Sequence, residues 1–436
     1  MGVLGIILAL LVLVYLVFKG WNMAVVSIIS AIIVILTNKM DVWKSLSEFF
    51  AQGFTSFAGT WFLIFTLGAI FGKIMDKSGA SLSIANYVVK VLGKKHIVLI
   101  VLLTTLVLSY GGIGTFVIAF TMYSICMALF READIPKKIF PGLLLAVPAT
   151  ISMVFLPGTP STQNLVPTEY FGTSIYAAPV MGIVISIVVF VMDYLFYNWA
   201  VKDCAKKGEH FEVSEDEEII DINNEEVMKS LPSPIKAFLP LIILIISIFI
   251  FQKKVGVPNY AVVLSMTLTI VISIFLFNNK LNIKESLSNG FSDGLNALMI
   301  TSFIMGFGKV VTSSPTYQMT TQWLLGLNMS PLLLMFISIN IICMITGSSL
   351  GGLEIYLNSM SKYLIETGIN LEVLHRLSAI ASAGLDAMPH ASGVVLANSV
   401  AKTNMGDTYK YTFVSQCIIP MVGYGLAVIL FKLGIV

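Results

Sequence analysis

Long apolar runs separated by short polar punctuation make up most of this chain. Residues 3–18 and 23–37 are two such runs, split by Lys19-Gly20-Trp21-Asn22, and each approaches the ~20 residues a spanning helix needs. Residues 41–54 mix Trp43, Leu46, Phe49, Phe50 and Phe54 with polar positions, which predicts an amphipathic helix lying at the membrane interface. A spanning helix over 57–75 follows. The run 97–108 is well short of a span and meets Ser109-Tyr110-Gly111-Gly112-Ile113-Gly114-Thr115, after which 116–130 is apolar again. Two short arms around a Gly-rich tip predict a re-entrant hairpin, and a loop at that depth must be covered by protein. Residues 140–155 run into Leu156-Pro157-Gly158-Thr159-Pro160-Ser161-Thr162-Gln163-Asn164, where two prolines and a glycine stop the helix, so this span is broken. A helix over 175–200 closes the half.

Residues 201–236 change character, with Ser214-Glu215-Asp216-Glu217-Glu218 at their centre, and read as a solvated linker. The pattern then repeats. Residues 237–251 and 260–277 match the first two helices, and 283–295 matches 42–54, pairing Ser45-Leu46-Ser47 with Ser286-Leu287-Ser288 and Gly53 with Gly294. The Gly111 tip corresponds to Thr346-Gly347-Ser348-Ser349-Leu350-Gly351-Gly352, the break at Pro157 to Pro389, and Asn164 to Asn398. Repetition on this scale is a transporter signature. The predicted fold is an all-α polytopic membrane protein of two inverted repeats, each with a re-entrant helical hairpin and a broken transmembrane helix. The first repeat is 1–200 (helices 1–75, hairpin 97–130, broken helix 138–170, closing helix 175–200). The charged linker is 201–236. The second repeat is 237–436 (helices 237–311, hairpin 330–365, broken helix 372–408, closing helix 411–433).

Composition agrees. Of 436 residues 57% are hydrophobic and only 11% charged, with a mean hydropathy of +0.90. Soluble domains carry roughly 25% charged residues, so a soluble enzyme is excluded. The net charge of +2 gives no footprint for nucleic acid. Cys126, Cys204, Cys343 and Cys417 have no metal-ligand spacing, no Gly-Lys-Ser/Thr phosphate loop is present, and no metal, cofactor or catalytic constellation is expected. The N-terminus lacks a basic leader and a cleavage site, which predicts a retained helix. Counting each hairpin as no crossing gives each half an odd number of crossings. An N-terminus outside then places Lys73, Lys77, Lys90, Lys94, Lys95, Arg131, Lys137, Lys138 and the 201–236 linker in the cytoplasm, and leaves 310–361, outside, without Lys or Arg.

The two tips and two breaks would meet near the midplane, where half-helix N-termini expose N–H groups suited to a carboxylate. Candidate substrate ligands are Gly111, Gly112, Thr115, Thr159, Ser161, Thr162 and Asn164, with Ser348, Ser349, Gly351, Ser392 and Asn398 from the second half. Asp386 and His390 flank Pro389 in an otherwise apolar stretch, and an intramembrane ionisable pair marks function by default, here proton coupling. Sodium, held by Asn, Ser and carbonyl oxygens, stays open as the alternative. Glu354 and Asp193 are weaker candidates, Asp193 because it lies nearer a span end.

Gly384-Leu385-Asp386-Ala387-Met388-Pro389-His390-Ala391-Ser392-Gly393 resembles the Gly-Leu-Asp-x-x-Pro-His-Asn-Gly segment of the gluconate permease (GntP) family. Phe130-Arg131-Glu132-Ala133-Asp134-Ile135-Pro136 and 156–164 resemble first-half segments of the same family. Ala391-Ser392-Gly393 departs from the Asn-Gly of that motif, and the first break lacks Pro-Pro-His-Pro-Gly. The resemblance implies a symporter of protons with a small organic acid, such as gluconate, glycerate or 3-hydroxybutyrate, in the cytoplasmic (inner) membrane of a bacterium. A sodium-coupled di- or tricarboxylate symporter and a sodium/proton antiporter are the alternatives. It further implies a homodimer of the ion transporter superfamily, with a scaffold domain and a transport domain moving as an elevator. The expected partners are the organic anion, protons and the lipid bilayer.

Overall fold

The computed structural model describes residues 2–110, 113–159, 161–212, 231–255 and 258–436. The chain begins with α1 (Gly2–Phe18), α2 (Met23–Thr37) and a single long helix α3 (Val42–Lys77). Then come α4 (Ala80–Leu92), α5 (Ile97–Tyr110), α6 (Thr115–Ala133), α7 (Lys137–Phe155), α8 (Thr162–Phe171) and α9 (Pro179–Lys206). Past the linker the order is α10 (Pro234–Val255), α11 (Pro258–Phe277), α12 (Ile283–Thr312), α13 (Pro315–Leu325), α14 (Pro331–Thr346) and α15 (Ser349–Glu366). The chain ends with α16 (Leu371–Ala381), α17 (Ser392–Ala401) and α18 (Met405–Lys432). Seven helices among the described residues are long and apolar enough to cross a membrane, or up to 8 if the pair α4 and 94–110, bent by 104°, counts as one span. Exposed Leu4, Leu11, Ile187, Leu195 and Phe275 are the side chains such helices turn to lipid. The chain is a multi-pass membrane protein.

The expected interfacial helices at 41–54 and 283–295 are not separate elements. Each runs straight into the span that follows it, giving the 36-residue α3 and the 30-residue α12. The small polar residues that imitate an amphipathic face serve a helix–helix contact instead. α3 and α12 form the most extensive pairing in the molecule. A Cβ on Gly294 would lie 2.6 Å from the Phe65 carbonyl oxygen, and Gly53 faces the Met305 carbonyl in the same way, so only glycine lets the backbones approach. α3 also packs on α6 through edge-to-face rings, with Trp61 at 4.7 Å, Phe65 at 5.5 Å and Phe57 at 5.8 Å from Phe116. One arm of the first tip is thereby seated against the α3–α12 core.

Beyond α9 the chain returns to the α6–α7 turn. His210 Nδ1 lies 2.7 Å from the Asp134 carboxylate, and the Phe211 N–H donates to the same group at 3.0 Å. The Phe211 ring sits beneath Arg131 and Lys137, at 5.6 and 5.2 Å. The Phe211 N–H, and after it His210, hold the Asp134 carboxyl below the usual carboxylate range.

Candidate functional site: two breaks in the helices

The first break lies between α7 and α8, at 156–161. Its organising residue is Asn164, fully buried on the first turn of α8. Both amide hydrogens are used, donating to the carbonyls of Thr159 and Ile175 at 2.9 Å each. That fixes which end of the side chain is oxygen, and Oδ1 accepts from Arg376 Nη1 at 3.0 Å and from His375 Nε2 at 3.1 Å. In the neutral His375 ring Nδ1 then accepts from the Thr173 hydroxyl at 2.7 Å. Arg376, 0% exposed, donates to the carbonyls of Val154, Ile175 and Ala177 as well. Its five N–H groups are all engaged, and no carboxylate pairs with it among the described residues. The guanidinium instead faces the C-terminal end of α7, the negative end of that helix dipole, which is where a buried cation is favoured. Glu372, one turn earlier on α16, accepts from the Ala178 N–H at 3.1 Å and holds Ala178 at φ +45 at the head of α9. α16 is therefore clamped across the first break.

The second break, 382–391, separates α16 from α17. Asn340 of α14 staples its start, donating to the Ala381 carbonyl and accepting from the Leu385 N–H, both at 3.0 Å. Gly384 takes φ +150, a conformation reserved for glycine, and its N–H donates to Asp386 Oδ1 at 2.9 Å. Asp386 sits inside a short 3-10 turn, Leu385–Ala387, folded back on the residue before it, and no cation pairs with it among the described residues. His390 is 2% exposed, its ring edge-on to Phe307 at 6.2 Å and against the Gly347 tip. Neither ring nitrogen makes a hydrogen bond among the described residues; its polar neighbour is the backbone of Met344. Directly after it α17 begins at Ala391, which supplies no side-chain cap. Among the described residues the N–H groups of Ser392, Gly393 and Val394 meet no partner, and beyond its own helix backbone and chain neighbours nothing lies within 4 Å of where a Gly393 Cβ would sit. An uncapped positive helix end, open space and an unpartnered imidazole stand side by side, and that set suits an anion.

The remaining candidates divide. Gly111 and Gly112 lie outside the described residues. Thr115, next along the first tip, donates to the Pro148 carbonyl at 3.1 Å, tying that tip to α7. Thr159 donates to the Leu156 carbonyl at 3.2 Å, and Ser161 caps α8, accepting from the Asn164 N–H at 3.3 Å. Exposed Thr162 donates to its neighbour Gln163 at 2.9 Å. Ser348 caps α15, accepting from the Gly351 N–H at 3.2 Å, and Ser349 accepts from Gln163 Nε2 at 2.8 Å, joining the second tip to the first break. Asn398 ties α17 to the start of α18, donating to the Val394 carbonyl at 2.9 Å and accepting from Thr408 at 2.6 Å and Thr403 at 3.1 Å, and does not join the others. Glu354 is exposed on α15. A cavity of about 290 Å³ at Leu231, Pro232 and Phe277 touches neither break.

His375, Arg376, Gln163 and Asn340 were not singled out from the sequence. A single His is expected in the buried midplane region, yet His375 is buried beside the first break as fully as His390 beside the second. The available signal was an Arg and a His adjacent in the apolar run 371–381, which is costly without partners in the protein.

A sequence profile of the GntP family permeases matches residues 1–434. An uncharacterized transporter, YxjC, of Bacillus subtilis is 29% identical over 95% of this chain and 95% of its own. An uncharacterized permease of Haemophilus influenzae is 25% identical over 79% of this chain and 75% of its own. The solved structure of MtrF from Neisseria gonorrhoeae, described as illuminating a class of antimetabolite efflux pumps, covers 89% of this chain and 84% of its own at 12% identity. Its TM-score of 0.35 is too low to build on.

Proposed function

Since this chain belongs to the GntP family of permeases, and is thus a transporter, we propose that it is a secondary active importer of a small hydroxy-monocarboxylate. Gluconate, glycerate and 3-hydroxybutyrate are the test compounds, taken up with protons across the cytoplasmic membrane of a bacterium. The observation that carries this reading is the second break, with its uncapped α17 N-terminus beside the unpartnered His390. The substrate carboxylate accepts from the Ser392, Gly393 and Val394 N–H groups, and His390 completes its hydrogen bonds. Asp386, without a cationic partner, takes the coupling proton, so that anion and proton cross together with no net unpaired charge at the break. The two halves act as inverted repeats whose tips and breaks move as a transport domain against the α3–α12 scaffold, within a homodimer. The N-terminus lies outside and the 201–236 linker in the cytoplasm.

Purified protein is first screened by thermal shift against the three acids, because a ligand stabilises the state it binds. The stabilising acid is then followed in proteoliposomes. The reading expects counterflow, and accumulation driven by an inward proton gradient that a protonophore abolishes and replacement of sodium by choline leaves unchanged. Uptake lost in choline but indifferent to the protonophore would replace the proton with sodium. Absence of counterflow would remove the carrier itself.

A further inference from the structure

Asp193 lies near the middle of the 28-residue α9 rather than at a span end, and it is 0% exposed. Neither carboxylate oxygen makes a hydrogen bond among the described residues, and no cation pairs with it. Facing it are Tyr197, one turn on, and Ser415, whose hydroxyl is the polar neighbour of both side chains and accepts from Gln416 Nε2 at 2.8 Å. Thr412, one turn before Gln416, adds another buried hydroxyl without a partner. These α18 residues flank or occupy a π-helical stretch, Val414–Ile418, a winding that recurs at functional sites. The elements packed on α9 (α5, α7 and α18) bring no carboxylate to Asp193. At the far end of α9 the cations Lys138 and Lys137 are engaged, by Glu209 at 2.6 Å and by the Phe211 ring.

A buried carboxylate with no cation is too costly to stay ionised in a membrane interior, so it carries either a proton or a metal ion. The surroundings favour the proton. The groups facing Asp193 are hydroxyls, those of Tyr197 and Ser415 with Thr412 nearby, and the Tyr197 hydroxyl donates to the Tyr411 carbonyl at 3.5 Å. A hydroxyl can accept the hydrogen bond of a protonated carboxyl, and no metal-holding group of His, Cys, Asp and Glu gathers there among the described residues.

We propose that Asp193 is a second, reversible proton-binding site of this transporter. It rests on the proton-coupled reading above, but it is separate from the break that holds Asp386. On loading, a proton adds to one carboxylate oxygen and the new O–H donates to the Ser415 hydroxyl. On release that O–H bond breaks, the carboxylate is restored and the proton passes to water.

The test is infrared difference spectroscopy of the full-length protein in lipid, titrated without substrate from about pH 5 to about pH 9, the range in which buried carboxyls lose their proton. The proposal expects a protonated-carboxyl carbonyl band that titrates within this range, disappears in Asp193→Asn and survives in Asp386→Asn. Should Asp193→Asn fail to fold, Ser415→Ala must shift the frequency of the same band, because it removes the acceptor of the carboxyl proton. A titrating band untouched by both variants would overturn the proposal. So would a band absent at every pH, one unchanged throughout, or one abolished by sodium chloride but not choline chloride. A protein that shows the Asp193 band but no proton-driven uptake contradicts the coupled reading; one with proton-driven uptake and no such band contradicts the Asp193 site alone.

Discussion

The two breaks are built from similar sequence material and end in opposite states. At 156–161 the central side chains are fully engaged, with Asn164 making four hydrogen bonds and Arg376 using all of its donors. At 382–391 the imidazole of His390 and the first N–H groups of α17 are left over. A buried polar group without a partner costs roughly 1–3 kcal/mol, and a fold tolerates that where something else supplies the bonds part of the time. The first break is thus a rivet between distant segments, and the second is a socket. An isolated Asn or His in an apolar run does not announce which of these it will be.

The sharpest way to break this comparison is at Arg376. Arg376→Ala leaves the carbonyls of Val154, Ile175 and Ala177 and the Asn164 amide short of donors, at roughly 1–3 kcal/mol each. The variant is expected to lose about 3 kcal/mol or more, or not to fold. Arg376→Lys should not rescue it, because an ammonium cannot span the fork. Thermal unfolding of purified protein decides, and a lysine variant melting with the wild type would mean the network is not the rivet. Next in size is a paired substitution. Asn164→Leu removes four hydrogen bonds and should cost about 2–4 kcal/mol, while His390→Leu removes none and should stay within about 1 kcal/mol. The ranking of function should be inverted, with folded His390→Leu losing uptake of the stabilising acid. Equal stability losses would erase the distinction between the breaks.

The smallest effect belongs to a contact outside both. The depressed Asp134 carboxyl stabilises the return of the chain at Phe211, fully so above the ordinary carboxylate range and less as pH falls through its own lower value. Because the pair is exposed, Asp134→Ala should weaken protection of the Phe211 amide by less than about 1 kcal/mol in hydrogen exchange. Unchanged protection would show that the contact does not form in solution.

The breaks themselves were legible because Pro157 and Pro389 interrupt runs that otherwise have no reason to stop. The glycine and hydroxyl residues of 346–352 likewise mark where α14 ends and α15 begins. The two long helices were misread at their starts, since Gly53, Ser45 and Gly294 look like a polar face until another backbone is placed against them. His375 and Arg376 were hidden for a related reason. Their partners lie some 200 residues away, Asn164 and Ala177 among them, and α16 read alone is an ordinary amphipathic helix. Asn398 shows the converse, matching Asn164 in position yet bonding only to residues within ten of it, in α17 and the start of α18.

The central claim, a closed first break and an open second one, can be read directly from ring nitrogens. The chain has 4 histidines, so a ¹⁵N-histidine spectrum of the protein in lipid is assignable by single substitutions. On addition of the acid that stabilises the protein, the His390 resonances should move while those of His375, held by Thr173 and Asn164, stay fixed. Movement at His375 with His390 unchanged would contradict the account.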